Sequence, residues 1–164
     1  MPVLVIGADT DLGHAIVPAL RPASGELRIF ASDADAVARY REFAKVAIGD
    51  ISDGTHVGGA ATGAFCAIVI AAVAHDDRER YFAATTVELF GQWADGLAEA
   101  GIARIIVVGA ERELPSPDPL HKAAIEYHHV DTAGKSIDQI VSEVTDLEAA
   151  ARRPSEDLRN PGLG

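Results

Sequence analysis

The residues best suited to bind a ligand form the turn Gly7-Ala-Asp-Thr-Asp-Leu-Gly13, here called the glycine turn. The apolar residues 3–6 before it predict a buried strand, and residues 12–20 have the pattern of a helix. In such a unit the first glycine lets the chain turn sharply, and the last lets helix and strand pack closely. The free amides at the helix start face whatever anion lies there. The glycine turn therefore predicts a phosphate-binding site.

The middle of the glycine turn departs from the usual pattern. Thr10 stands where the pattern Gly-x-x-Gly-x-x-Gly has its second glycine, the point of closest approach to a pyrophosphate. A pyrophosphate would lie farther out or meet the threonine hydroxyl. Asp9 and Asp11 add negative charge, and at least one of them is expected to cap the helix.

Short apolar runs would place the glycine turn at the edge of a parallel sheet. They span residues 3–6, 27–31, 46–48, 67–71 and 105–108. None alternates apolar with polar residues for long, as expected of strands covered on both faces. The intervals leave room for helices and right-handed crossovers. We therefore expect an α/β, Rossmann-like, doubly wound parallel sheet of at least five strands, in the order 3-2-1-4-5, within three α/β/α layers.

The helices between these strands differ in quality. Residues 35–43 and 85–100 have helical patterns, and the second is expected to end at Gly101. Residues 53–63 contain four glycines, each costing about 1 kcal/mol relative to alanine inside a helix, so this helix should be short or frayed. The buried stripe of the helix at 85–100 is expected to comprise Val87, Phe90, Ala94, Leu97 and Ala98.

The chain changes character after Ala110. Residues 111–119 predict a loop, residues 120–130 a helix and residues 152–164 a flexible tail. Residues 136–151 predict a helix that begins with a capping box and completes a single domain spanning residues 1–151. Its apolar stripe must be covered, either by the chain's own sheet or by the same helix of a second subunit in a homodimer.

Composition excludes several classes of protein. With 164 residues, 48% hydrophobic and 24% charged, the chain is an ordinary globular domain without an apolar run of the roughly 20 residues that span a membrane. The N-terminus lacks the pattern of a signal peptide. A formal net charge of −11 opposes binding to nucleic acid or to an anionic membrane. A lone cysteine, Cys66, fits the reducing cytoplasm, where we expect the protein.

Further segments, together with the glycine turn, match one family's pattern. They are Gly49-Asp-Ile-Ser-Asp53 after the third strand, Ala71-Ala-Val73 after the fourth, residues 99–108, and His121-Lys-Ala-Ala-Ile-Glu126. In this order and spacing they resemble the atypical short-chain dehydrogenase/reductase superfamily, particularly its NmrA-like branch of NAD(P)-binding proteins. The resemblance covers residues 1 to about 130.

The resemblance implies a dinucleotide site built by the loops after the first four strands. The implied cofactor-binding residues are Gly7, Ala8, Thr10, Asp11, Leu12, Gly13, Ser32, Asp33, Asp50, Ile51, Ala71, Ala72 and Val73. The family places an aspartate against adenine, here Asp50; the alternative is a solvated turn. Asp53 is expected to cap the next helix.

Cofactor preference should be visible at the end of the second strand. A carboxylate about 20 residues beyond the glycines accepts the ribose hydroxyls and repels a 2′-phosphate. Asp33 takes this position, and Ser32 stands where NADP-binding members of the family usually have arginine. These residues favour NAD over NADP, although Asp33 suits the N-cap of the helix at 35–43 equally well.

The superfamily's catalytic groups are missing from their expected positions. Gly109-Ala110 replaces the serine after the fifth strand, and no tyrosine is followed four residues later by lysine. Lys122 would face the nicotinamide in the family pattern and is the remaining catalytic candidate, although a salt bridge to Glu126 on the same helix face is expected in any case. Adjacent histidines on a helix diverge by about 100°, so His128 and His129 predict no metal site.

The sequence therefore predicts an NAD(P)(H)-binding, oxidoreductase-like protein with weak or lost catalysis. The alternative is a non-enzymatic sensor of redox nucleotides or a protein-interaction module that kept the fold and lost the chemistry. The segment after the fifth strand is expected to be too short for the family's large substrate lobe. The sequence does not indicate a small-molecule substrate.

Overall fold

The computed structural model describes residues 2–20, 25–122 and 124–150, and in these ranges six strands form one parallel sheet. The strands are β1 (Pro2–Ile6), β2 (Glu26–Ala31), β3 (Lys45–Ile48), β4 (Cys66–Ile70), β5 (Arg104–Val108) and β6 (Glu126–Val130). Their order is β3-β2-β1-β4-β5-β6, which confirms the predicted order and adds β6. The order reverses direction between β1 and β4, so the carboxyl ends of these two strands form the topological switch point.

Helices cover both faces of the sheet. They are α1 (Asp11–Leu20), α2 (Asp35–Tyr40), α3 (Gly54–Ala61), α4 (Thr86–Glu99) and α5 (Ile137–Ala149), with short 3-10 turns at Ala71–Ala74 and Glu111–Glu113. Apolar residues of α3 and α4 pack on one face of the sheet, and those of α1, α2 and α5 pack on the other. The predicted three-layer architecture is confirmed. No helix in the described ranges is long and apolar enough to cross a membrane.

Two helices pack unusually closely through their glycines. A Cβ on Gly96 of α4 would lie 2.2 Å from the carbonyl oxygen of Gly54 in α3, and one on Gly58 would lie 2.8 Å from that of Gly96. The glycines that weaken α3 as a helix therefore let its backbone contact α4. Asp53 caps α3 as predicted, by accepting from the amide of His56 at 3.2 Å.

The buried stripe of α4 lies to one side of its predicted position. Phe90 and Leu97 are buried as expected, but Val87 is 56% exposed. Leu89 and Trp93 are fully buried and shift the centre of the stripe. Val87 therefore lies roughly 100° from that centre around the helix axis. Ala98 is exposed for the same reason. The indole of Trp93 donates to the carbonyl oxygen of Ile51 at 2.7 Å, and this fixes the loop after β3 to α4.

The helix predicted for residues 120–130 is wrong, because the second half of that segment forms β6. Glu126 of β6 aligns with Arg104 of β5, and Tyr127 aligns with Ile105. Arg104 is fully buried and donates to Glu126 at 2.5 Å. A ladder to β5 and a buried ion pair therefore override the local helical pattern.

The predicted C-terminal helix is confirmed as α5, whose amides are capped by Ser136 with Gln139. Ile140 and Val144 are buried against the face of the sheet that carries α1, so the chain's own fold covers the centre of the stripe, while Ile137 at its start is 53% exposed. Arg104 donates to the carbonyl oxygens of Leu147 at 2.9 Å and Ala150 at 2.8 Å, at the end of this helix. The predicted tail at 152–164 lies outside the described residues.

Candidate functional site

The glycine turn between β1 and α1 requires glycine at both ends. Gly7 has a φ of +99°, and a Cβ there would lie 2.8 Å from the Cβ of Ile70 and 3.0 Å from the Cγ1 of Val73. A Cβ on Gly13 would lie 2.3 Å from the carbonyl oxygen of Gly7 and 2.6 Å from the Cα of Ala8. The start of α1 therefore lies directly against the end of β1, beside the residues that come after β4.

The side chain of Thr10 closes the glycine turn. Its hydroxyl donates to the carbonyl oxygen of Gly7 at 2.6 Å and accepts from the amide of Gly13 at 3.0 Å. Thr10 thus supplies the helix cap that was expected from Asp9 or Asp11. Amides in the first turn of a helix are those available to an anion. The threonine hydroxyl therefore occupies the position from which a phosphate oxygen would reach the Gly13 amide.

Asp9 joins the glycine turn to the end of β2 and to the segment after β4. Both of its carboxylate oxygens lie 3.0 Å from Nη1 of Arg78, and Oδ2 accepts from the amide of Ser32 at 3.1 Å. The other guanidinium nitrogens of Arg78 contact Asp76 at 2.7–3.1 Å. Burial lowers the pKa of Arg78, and hydrogen bonds and charges of Asp76 and Asp9 raise it by more. The net result is a raised pKa, so Arg78 is a permanent cation here.

Asp33 lies at the surface beside the end of β2. Its Oδ1 accepts from the amide of Asp35 at 2.8 Å, in the turn that leads into α2. Ala34 holds the capping position of α2, so Asp33 supports the approach to the helix without being its N-cap. Its carboxylate borders the same cavity as Ser32.

Asp50 at the end of β3 is more than a solvated turn residue. Its Oδ1 accepts from the amide and hydroxyl of Ser52 at 2.8 and 2.6 Å, and its Oδ2 accepts from the amide of Tyr81 at 2.7 Å. The hydroxyl of Ser52 also accepts from the amide of Phe82 at 2.9 Å. The loop after β3 therefore holds the segment that leads into α4.

A cavity of about 670 Å³ lies over the carboxyl ends of β1, β2 and β3. Its lining residues are Asp9, Ser32, Asp33, Ala34, Gly49, Asp50, Asp76, Asp77, Arg78, Glu79 and Tyr81. Among these, carboxylates greatly outnumber the single guanidinium. The cavity is therefore strongly negative. Its volume is also within the range of about 300–1,000 Å³ that is typical of small-molecule sites.

Polar groups also meet at the ends of β4, β5 and β6. Glu113 accepts from the amide of Ala110 at 2.7 Å, and its Oε1 lies 3.2 Å from where a Cβ on Gly109 would stand. An imidazole nitrogen of His75 lies 2.8 Å from the carbonyl oxygen of Glu113, and one of His129 lies 2.8 Å from that of Gly109. A carboxylate and two imidazoles thus surround the place where the family pattern has serine.

Lys122 lies apart from the residues that line the cavity. It precedes β6 and its Nζ is 3.8 Å from Oδ1 of Asp95 on α4. The salt bridge expected from Lys122 to Glu126 does not form, because Glu126 pairs with Arg104 and His128. In the part of the chain that the structure describes, Lys122 does not lie on a helix.

The described residues bring together no group of three histidine, cysteine, aspartate or glutamate side chains able to hold a metal ion. His128 and His129 lie on a strand, where neighbouring side chains point to opposite faces. His121 stacks on Tyr127, with ring centroids 4.6 Å apart. The hydroxyl of Tyr127 contacts the carboxylate of Asp118.

Sequence reasoning missed two residues that shape the site. Arg78 was not singled out because two of its three partners, Asp9 and Ser32, are distant in the sequence. Tyr40 of α2 is 1% exposed and donates its hydroxyl to the carbonyl oxygen of Ala8 at 2.9 Å. The tyrosine at the end of an amphipathic helix could have indicated a polar partner, although not which one.

The chain was compared with known sequences and solved structures. No protein-family model matches the sequence, and no curated protein sequence matches it significantly. Triphenylmethane reductase from Citrobacter sp. shares 12% identity over 93% of this chain and 66% of its own, with a TM-score of 0.71. The anaerobillin reductase ChuY from Escherichia coli O157:H7 shares 15% identity over 92% of this chain and 91% of its own, with a TM-score of 0.67.

A third protein of similar structure is an NADPH-dependent quinone oxidoreductase from Escherichia coli, solved in complex with NADPH. It shares 18% identity over 89% of this chain and 54% of its own, with a TM-score of 0.63. This chain thus spans about half of that reductase and nearly all of ChuY. These likenesses show that the chain has a Rossmann-type fold, as the sequence predicted.

Proposed function

We propose that this protein binds a nicotinamide dinucleotide at the glycine turn and that its oxidoreductase chemistry is weak or lost. The observation that carries the proposal is the geometry of Gly7 and Gly13, which sets the start of α1 against the end of β1. This turn lies at the topological switch point, where open α/β sheets bind ligands. The first-turn amides of α1 would hold the pyrophosphate.

The neighbouring strand ends would supply the rest of the site. Ser32 and Asp33 would face the ribose, and Asp50 would face the adenine, whereas the predicted neighbour Ile51 is fully buried. After β4, the partly exposed Ala72 would lie on the path toward the nicotinamide, and the predicted Ala71 and Val73 are fully buried beneath it. Similar folds solved in complex with NADP(H) or NADPH support a nicotinamide dinucleotide as the ligand class.

We propose NAD(H) in preference to NADP(H), because the ribose end of the site is negative. Asp33, Asp9 and Asp76 contribute three carboxylates against the guanidinium of Arg78. A 2′-phosphate would add a dianion to this group, whereas ribose hydroxyls can donate to a carboxylate. Arg78 approaches Ser32 to 3.3 Å, but its charge is already balanced by its own partners.

The proposed loss of catalysis rests on the residues near the nicotinamide end. A bound nicotinamide would supply hydride-transfer chemistry, and the protein would orient it and exclude water. Neither a Tyr-x-x-x-Lys pair nor the serine after β5 is available to place a proton. General acid catalysis typically contributes about 10²- to 10⁴-fold, so turnover without such a group should be slow.

A non-enzymatic sensor of redox nucleotides is the second candidate function. It is favoured by Tyr127 on β6, whose hydroxyl contacts Asp118 and therefore cannot stand in for the missing tyrosine of the reductases. Burial first, and then Asp118, raise the pKa of Tyr127, which makes it a poorer acid still. In this role, binding alone would report the nucleotide to a partner.

Calorimetric titration with NAD, NADH, NADP and NADPH tests the proposal. We expect weak binding with a preference for NAD(H). Asp33→Ala should reduce the difference between the Kd values for NAD(H) and NADP(H). Asp35→Ala is the matched control, because Asp35 is an exposed acid two residues away that does not line the cavity. No heat and no thermal shift with any of the four nucleotides would contradict the binding proposal, and a preference for NADPH would contradict the charge argument.

A further inference from the structure

Residues 76–82, here called the strap, connect the region after β4 to α4 and cross the adenosine half of the proposed site. We infer that the strap is a closed cover and that the ion pair between Arg78 and Asp9 is the latch that must open before a dinucleotide binds. This inference rests on the proposed function and adds a regulatory contact to it.

The strap is fixed to both walls of the cavity. At one end, Arg78 donates to both carboxylate oxygens of Asp9 in the glycine turn. At the other end, the amides of Tyr81 and Phe82 donate to Asp50 and Ser52 in the loop after β3. Between these points the strap passes the end of β2, where a ribose would lie. A dinucleotide that contacts Asp50 would therefore have to displace the hydrogen bond that the strap makes to this residue.

The strap contacts residues at both ends of the adenosine half of the proposed site. Asp9 lies in the glycine turn, and Asp50 is the residue expected to meet adenine. The side chains of Arg78 and Asp9 are only 13% and 12% exposed, so solvent screens their attraction little. Hydrogen bonds between charged groups are also stronger than neutral ones. The closed arrangement is thus stabilised by direct contacts at the site itself.

A closed strap explains why binding should be weak. When only a fraction of the molecules is open, the apparent affinity falls in proportion to that fraction. Weakening the latch should therefore tighten nucleotide binding, although it removes a contact from the protein. A residue that merely stabilised the fold would not have this effect.

Asp9→Asn tests the latch, with Asp35→Asn as its control. Both variants remove one negative charge, but only Asp9 contacts Arg78. Asp35 is exposed, does not line the cavity and is not one of the proposed binding residues. An asparagine at position 9 can still accept from the Ser32 amide, and Arg78 keeps Asp76 as its partner. Relative to Asp35→Asn, we expect Asp9→Asn to lower the Kd for NADH roughly tenfold in calorimetry.

Trypsin gives a second readout that needs no nucleotide. It cleaves after arginine, and the nearly buried side chain of Arg78 should be protected while the latch is closed. Cleavage after Arg78, followed by fragment mass in the full chain, should be at least about tenfold faster in Asp9→Asn than in Asp35→Asn. Adding NADH to the unaltered protein should also accelerate this cleavage.

A second pair of variants tests the latch independently, in case Asp9→Asn does not fold. Arg78→Gln opens the latch from the strap side, and Arg80→Gln removes the same charge from the same segment. Arg80 donates to the carbonyl oxygen of Ala74 at 3.1 Å and makes no contact with Asp9. Arg78→Gln should therefore bind NADH more tightly than Arg80→Gln.

The outcomes separate the latch from the proposed function. Equal cleavage rates in Asp9→Asn and Asp35→Asn would overturn the latch. If Asp9→Asn is cleaved faster than its control but has the same Kd, the strap does not obstruct the site. If NADH slows cleavage of the unaltered protein, the strap closes over the ligand. Either result would overturn the inference. No binding by any variant would overturn the proposed function and the covering role of the strap together, and faster cleavage in Asp9→Asn would then support the latch alone.

Discussion

Replacing Thr10 offers a sharp test of how the glycine turn meets its ligand. The threonine hydroxyl accepts from the Gly13 amide at 3.0 Å and caps α1. Loss of such a cap to alanine costs about 0.5–2 kcal/mol, whereas loss to glycine costs a few tenths. In a domain of this size each 1 kcal/mol lowers Tm by about 2–4 °C. Stability should therefore fall in the order Thr10→Ser, Thr10→Gly, Thr10→Ala.

Affinity should have a different order, because the same substitutions release the Gly13 amide to the ligand. A hydrogen bond from an amide to a charged oxygen contributes about 1.5–3 kcal/mol, which corresponds to roughly 10- to 100-fold in Kd. Thr10→Gly and Thr10→Ala should therefore bind NADH more tightly than the unaltered protein. Thr10→Ser keeps the hydroxyl and should bind like the unaltered protein, which makes it the control.

Calorimetry for Kd and thermal unfolding for Tm, measured on the same four proteins, separate the two effects. If the Tm values have the expected order while all four Kd values agree, the Gly13 amide does not face the ligand. Tighter binding by Thr10→Ser would equally refute the reasoning, because its hydroxyl still occupies the amide.

Three further perturbations test the packing around the site. Gly13→Ala should lower the denaturant midpoint sharply and abolish nucleotide binding, because its Cβ would lie 2.3 Å from the carbonyl oxygen of Gly7. Gly59→Ala is the control and should be neutral or stabilising, because Gly59 is an exposed residue of α3 whose added Cβ would have nothing within 4 Å. Burial raises the pKa of Glu126, but hydrogen bonds from Arg104 and His128 outweigh it and leave the pKa lowered. The ionised Glu126 should therefore stabilise the fold fully at pH values above its ordinary pKa of 4.5. This stabilisation should disappear as the pH falls through the lower pKa of the folded protein. Arg104→Gln should therefore make the unfolding free energy less dependent on pH in this acid range. Val144→Asp should lower Tm without changing the mass in light scattering, since Val144 is fully buried within this chain; a loss of mass would instead indicate a dimer.

Much of the fold could be predicted because local and tertiary signals agree along the first 110 residues. The apolar runs that became β1, β4 and β5 are buried along nearly their whole length, so apolar composition alone identifies them, whereas β3 is a partly exposed edge strand. The capping box at Ser136 likewise predicted the start of α5, because the contacts that define a helix cap are local in sequence.

The errors arose where a distant partner decides the structure. Residues 126–130 carry no strong strand pattern, and they form β6 because β5 offers a free edge and Arg104 pairs with Glu126. Spacing along a helix predicted a Lys122–Glu126 pair that β6 makes impossible. The glycine turn was predicted as the centre of the candidate site, and the predicted residues Ser32, Asp33 and Asp50 line the cavity beside it. The strap was missed because Asp9 and Arg78 lie 69 residues apart in sequence.

The contact between the glycines of α3 and α4 also implies an order of assembly. A helix with glycine at positions 54, 58 and 59 has little tendency to form alone, since each glycine gives up much conformational freedom. By contrast, α4 has a cap at Thr85 and a long apolar stripe, so it can form and dock early. Its surface at Gly96 then provides the groove in which α3 becomes helical. The loop bearing Asp50 precedes α3 in the chain, so this wall of the candidate site should be among the last parts of the domain to become ordered during folding.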